Sequence, residues 1–171
     1  MMKIIESERN ISFLPIPNEA QVVLDIQLPP FELITSALGL VFDGDRVLLP
    51  KLIDRGWDIP GSHIEPGESP EEAFHREVFE ELAAKLNQVG ILGYQKFIIQ
   101  APKPEGYKYP HPVSYQAFFW ATVETLEPFV PTVEVEERGF FTPDQAQALS
   151  WIQKHEGLYK SALQKATNCS S

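Results

Sequence analysis

A mixed β-sheet held between helices, an α/β class fold, is what this sequence predicts. Runs of β-prone residues stand both before and after one strongly signalled central helix, and a second helical stretch closes the chain. An apolar content of 43%, with 11% aromatic residues, suits one globular core within 171 residues.

In chain order, residues 21–28 alternate in patches and read as a leading strand stopped by Pro29 and Pro30. Residues 35–42 are apolar enough for a buried strand, and Asp43-Gly44-Asp45 reads as a hairpin turn into a strand over 46–50. A loop follows over 51–57, then a turn over 60–67. Beyond the central helix, residues 89–100 form a strand containing Gly90 and Gly93, 101–112 a loop rich in Pro and Tyr, and 114–123 a strongly β-prone run. Residues 138–141 make a short strand, and 143–149 with 151–165 read as closing helices.

The central helix carries the most information. Ser69, Pro70 and Glu72 stand as N-cap, first-turn proline and capping-box acid, so the helix starts at Pro70 and is expected to run to about Leu86. At about 100° per residue, Glu77, Glu80 and Glu81 share one sector, while Val78, Phe79, Leu82 and Leu86 share the opposing one. Acids at i, i+3 and i+4 repel one another, and a hard cation removes that penalty. A solvated acidic face, with Arg76 paired to Glu80, is the alternative reading of the helix alone.

The helix alone favours the solvated face, and the wider spacing changes that weighting. From Glu68 the chain runs Glu-x7-Arg76-Glu77-Val78-x-Glu80-Glu81, preceded by Arg55-Gly56-Trp57-Asp58-Ile59-Pro60-Gly61 and His63-Ile64-Glu65-Pro66-Gly67. This resembles the signature of the Nudix hydrolases, Gly-x5-Glu-x7-Arg-Glu-U-x-Glu-Glu-x-Gly-U with U apolar, and every charged position is present. Ser62, Ala83 and Ala84 stand where the family has glycine, glycine and a larger apolar residue. Ser62 is expected to shift the loop, and Ala83 to let the helix continue further than usual.

The resemblance implies a Nudix-type α/β/α sandwich with a mixed sheet. It extends loosely from about residue 31 to 149, so a domain of residues 31–171 takes in the closing helices. Residues 1–30 are an extension, expected to add an edge strand or a homodimer contact. It also implies hydrolysis of a diphosphate bond in a nucleoside diphosphate linked to another moiety, with Mg²⁺ or Mn²⁺ as cofactor. Glu77, Glu80 and Glu81 are carried over as metal ligands, Glu81 also as a candidate general base, and the Gly61 carbonyl as a further donor. Arg76 is read as fixing carboxylate rotamers, and Glu68 as bonding that Arg or a loop amide. Glu134, ahead of Glu137, is the candidate ligand from the late acidic segment. Arg55, His63, Tyr109 and His111 are the candidate substrate contacts, Tyr107 and Tyr115 standing beside them, with Trp57 expected in the core.

Net charge of −10 argues against a nucleic-acid polymer or an anionic membrane as partner, leaving a small nucleotide. The one cysteine, Cys169, allows no intrachain disulfide and lies far from the chain centre, where a diphosphate isomerase of this family keeps its catalytic thiol. A domain that only senses nucleotides typically lacks box carboxylates, and all are retained here. No apolar leader or membrane-length stretch is evident, and a cytoplasmic setting is expected.

Overall fold

The computed structural model describes residues 2–169. Its strands are β1 (Lys3–Arg9), β2 (Asn18–Leu24), β3 (Ile34–Asp43), β4 (Arg46–Leu52), β5 (Gly56–Trp57), β6 (Gly61–His63), β7 (Ala84–Ile99), β8 (Val113–Leu126) and β9 (Val135–Phe141). The helices are α1 (Pro70–Leu82), α2 (Pro143–Ala146), α3 (Ser150–Lys154) and α4 (Glu156–Cys169).

All the described strands join one mixed sheet, ordered β1-β2-β7-β8-β3-β4-β5. β3 and β8 run parallel, from Ile34 beside Tyr115 to Phe42 beside Thr122. The other edge of β3 is shared. Its C-terminal end pairs with β4 (Val41 with Leu48), and its N-terminal half pairs with β6 (Leu38 with Gly61). β4 then turns away and pairs along its length with β9. The sheet therefore forks at β3, between β4 and β6.

Alternation along β3 and β8 supplies both layers of core. Leu40, Phe42 and Phe118 pack with Leu158, Tyr159 and Ala162 of α4, while Val41, Ala117 and Phe119 pack with Phe74, Val78 and Leu82 of α1. The Phe74 ring lies stacked on Phe119, centroids 5.3 Å apart. A Cβ at Gly39 would stand 2.6 Å from that ring, so glycine is what lets α1 press this closely on β3. At the outer edge, Glu6 of β1 bonds the His155 ring at 2.8 Å, just before α4.

The α/β/α class matches the sequence expectation, and several element bounds differ from it. The helix stops at Leu82 instead of continuing to about Leu86, and Leu86 belongs to β7. Ala83 does not prolong the helix: it adopts the left-handed conformation, φ 51°, and turns the chain into β7. Arg138 of β9 supports this end by donating to the Leu82 carbonyl at 2.7 Å and the Ala83 carbonyl at 3.4 Å. Phe79, expected on the packing side, is 47% exposed. The strand expected over 21–28 spans 18–24, because it pairs in register with residues 93–99, and it does not lead the chain: β1 precedes it. Residues 51–57 form the β4–β5 hairpin in place of a plain loop. β7, β8 and β9 all begin before the expected starts, at residues 84, 113 and 135. Three helical segments close the chain where two were expected.

An alanine at positive φ at a helix C-terminus costs about 1 kcal/mol. Ala83→Gly is expected to raise unfolding free energy by about 0.5–1 kcal/mol, and Arg138→Ala to lower it by about 1–2 kcal/mol. Urea denaturation followed by circular dichroism checks both.

Candidate active site

The start of α1 fixes everything that follows on it. Ser69 Oγ accepts from the Glu72 amide at 3.1 Å, and Glu72 Oε1 accepts from the Ser69 amide at 3.0 Å, closing the capping box. With that end set and Ala73, Phe74, Val78 and Leu82 buried, the rotation of the helix is determined. Glu77 and Glu81, one turn apart, then fall in the inward row and are only 9% and 7% exposed. Glu80 points out to solvent. The three acids thus do not share one solvated face: two are pressed toward the fork in the sheet.

Arg76 organises the acids. Its Nε and Nη2 donate to the two oxygens of Glu68 at 2.7 and 2.9 Å, a bidentate fork. Nη1 donates to Glu77 at 2.8 Å and to Glu80 at 3.4 Å, and Nη2 also reaches the His63 carbonyl at 3.3 Å. Glu68 accepts from the Glu65 amide at 2.9 Å as well, so it bonds both the Arg and a loop amide. Its bond to Arg76 first, then that amide, hold the Glu68 carboxyl below the usual range.

Glu81 has no such cation. It accepts from the Gly61 amide at 3.1 Å. Burial, outweighing that amide, and then the bond and charge of Glu77 with the charge of Glu134, push its carboxyl up to about 8. Gly61 is required where it stands: φ is 134°, and a Cβ would lie 2.3 Å from the Ala37 carbonyl oxygen. Ser62 sits in extended β6 opposite Ala37, so the loop shift expected from this departure does not arise by loss of a positive φ.

Glu77, Glu80 and Glu81 face an open cavity of about 560 Å³, whose lining also includes Arg76, Gly61, Arg55 and Glu134. Glu134 is brought there by a bond from the Ile53 amide to its carbonyl, 3.0 Å, whereas Glu137 lies within β9 opposite Lys51. Arg55 stands at the rim, 3.6 Å from Asp58. His63, Tyr109 and His111 do not line the cavity. His63 stacks on Tyr109 with centroids 5.7 Å apart, and His111 bonds the Ala101 carbonyl at 3.0 Å. Tyr115 packs edge-on against Tyr94, and Trp57 against Phe141. Apolar lining residues with no role in the sequence analysis are Leu52, Ile53 and Val133, with Asp54 beside them. Their only signal is apolar side chains set among charges in turns.

Among the described residues no three His, Cys, Asp or Glu side chains converge into a ready-made cation cage. The donor chemistry nevertheless fits a hard divalent cation that keeps part of its water. Glu77 and Glu81 offer carboxylate oxygens side by side in a buried position, a donor pair suited to a cation held between them.

Fold and site together define an α/β/α protein whose acidic centre is carried on one helix against the fork of a mixed sheet. The chain belongs to the NUDIX domain family, whose model matches residues 33–162. Among curated relatives, it is 29% identical over 117 residues to the NAD-capped RNA hydrolase NudC of Pseudomonas syringae, covering 67% of this chain and 38% of that protein. It is 41% identical over 63 residues to the putative 8-oxo-dGTP diphosphatase YtkD of Bacillus subtilis, covering 33% of this chain and 40% of that protein. The chain thus spans about two fifths of the length of these relatives. In fold it is similar to the B. subtilis pyrophosphohydrolase BsRppH, with a TM-score of 0.67 and 24% identity over 94% of this chain and 97% of that one. The MutT protein of Bacillus halodurans follows at 0.55, with 23% identity over 75% and 80%.

The raised Glu81 carboxyl has a definite effect on stability. Between about pH 4.5 and about 8 the folded state holds a proton that the unfolded chain releases, so this group destabilises the fold progressively as pH rises through that window. Glu81→Gln, which keeps an acceptor for the Gly61 amide, is expected to match the parent near pH 4.5. It should melt at increasingly higher temperature than the parent up to pH 8, measured in chelator by scanning fluorimetry. A gain that does not vary with pH contradicts the assignment.

Proposed function

We propose that this protein hydrolyses a diphosphate bond in a nucleoside diphosphate linked to another moiety, with Mg²⁺ or Mn²⁺ as cofactor. The observation that carries this is the buried Glu77–Glu81 pair opening into the cavity beside the Gly61 turn. Glu77, Glu80 and Glu81, with Gly61 as a backbone donor, would hold the cation, which offsets phosphate charge and makes water more acidic.

The remaining roles fall to the chain itself. Arg76 keeps Glu77 oriented by pairing with it while anchored on Glu68. Glu81, buried beside Glu77 and bonded by the Gly61 amide, is the candidate general base, and Glu134 supplies a further carboxylate across the cavity. Arg55 at the rim attracts phosphate oxygens. His63, Tyr109 and His111, clustered beyond Arg76, are assigned to the moiety joined to the nucleoside diphosphate.

The names of the curated relatives refer to NAD-capped RNA and to 8-oxo-dGTP, both nucleoside compounds with diphosphate bonds. Net charge of −10 and a cavity of about 560 Å³ favour a small nucleotide over a polymer. No described helix is long and apolar enough to cross a membrane. A small-nucleotide substrate agrees with a cytoplasmic setting.

Glu77→Gln and Glu81→Gln are each expected to fold and to lower turnover by about two to four orders of magnitude. A panel of nucleotides with Mg²⁺ or Mn²⁺, scored by product identity, supplies the assay. More than about a tenth of parental turnover in both variants would remove Glu77 and Glu81 from the chemistry, and a parent that binds nucleotide without hydrolysing it would point to a nucleotide-binding role without catalysis. Millimolar Mg²⁺ with a bound nucleotide is expected to raise the melting temperature, since a ligand that binds only the folded state stabilises it by mass action. An unchanged melting temperature counts against the cation site.

A further inference from the structure

The cavity faced by Glu77 and Glu81 is not polar throughout. Leu52, Ile53 and Val133 also line it, and two of these are displayed to water: Ile53 is 60% and Val133 92% exposed. Branched aliphatic side chains held in solvent beside a charged site forgo the burial that ordinarily places them in a core.

Their display is built in by the backbone. The Thr132 hydroxyl accepts from the Glu134 and Val135 amides at 3.2 and 3.0 Å, and the Thr132 amide donates to the Val135 carbonyl at 3.0 Å. Val133 therefore stands at the tip of a closed turn. The Ile53 amide donates to the Glu134 carbonyl at 3.0 Å, which ties that turn to the end of β4 and sets Ile53 next to it. Two loops far apart in sequence are joined so that their apolar side chains edge one cavity.

Resting on the hydrolase reading, we propose that Ile53 and Val133 form an apolar seat for the base of a mononucleotide substrate. A nucleoside diphosphate has an anionic end and a flat, largely apolar one, and the cavity divides in the same way. Its carboxylates and Arg76 lie along α1, and the aliphatic pair lies on the β4 and β9 side. The rings of the 101–112 loop are engaged with one another and with His63, and none of them lines the cavity. A seat of aliphatic groups packs on any base face, so this recognition tolerates different bases.

The test is a methyl-labelled NMR titration of the full chain in Mg²⁺ with ADP, with UDP and, in parallel, with inorganic pyrophosphate. Ring currents from a seated base are expected to shift the Ile53 and Val133 methyl signals with both nucleotides and not with pyrophosphate. The Ile53→Ser/Val133→Ser double variant is expected to raise KM for the nucleotide substrate about tenfold, with a smaller change in kcat. Methyl signals that stay fixed, that move equally with pyrophosphate, or that change with protein concentration alone, as for a second copy on this face, overturn the proposal. If no nucleotide is hydrolysed yet the nucleotide-specific shifts appear, the seat stands and the hydrolase reading falls.

Discussion

One guanidinium joins the three segments that make the site. Arg76 grips Glu68 in the turn, Glu77 and Glu80 on its own helix, and the His63 carbonyl of β6. Charge-assisted hydrogen bonds are each stronger than neutral ones, and a bidentate fork fixes direction as well as distance. Because Glu68 is also held by the Glu65 amide, the arginine cannot move without the turn moving with it. The order of the acids follows from this: Glu77 is oriented by a cation, Glu80 is left at the surface, and Glu81 is left to the Gly61 amide and to whatever positive charge enters the cavity.

The sheet supplies the space for that arrangement. β3 divides one edge between β4 and β6, and the end of β4, at Leu52, and the start of β6, at Gly61 and Ser62, both line the cavity. Two backbone approaches make the fork compact. Gly39 admits the Phe74 ring, and Gly61 passes against Ala37 and Leu38. Larger residues at either place would lift α1 or β6 from β3, and the distance from the Gly61 amide to Glu81 would open with them.

Local signals were the legible part of the sequence. The Ser69–Glu72 capping box, the run of charges at Glu68, Arg76, Glu77, Glu80 and Glu81, and the β-prone runs are all written within a few residues of one another, and they locate α1 and the sheet. The helix end was not legible, because Arg138, more than fifty residues later, supports a left-handed Ala83 that sequence rules would reserve for glycine. The inward turn of Glu77 and Glu81 was hidden for a similar reason, since a helical projection shows relative angles and not which sector meets the sheet. β1 carries little alternation because it is mostly exposed at the sheet edge. Ile53 and Val133 gain meaning only once Glu134 has been bonded to the end of β4.

The Glu6–His155 contact, across 149 residues of sequence, bears on how the molecule is made. β1 and β2 precede the rest of the sheet in sequence, yet β2 pairs with β7, and the hydrogen-bond partner of Glu6 in β1 lies just before the last helix. β2 must therefore wait, unpaired at one edge, until β7 has emerged. Contacts this far apart slow folding and lengthen the time in which an open strand edge is exposed. The interval between synthesis of β2 and arrival of β7 is the period in which this open strand edge most needs protection from other chains.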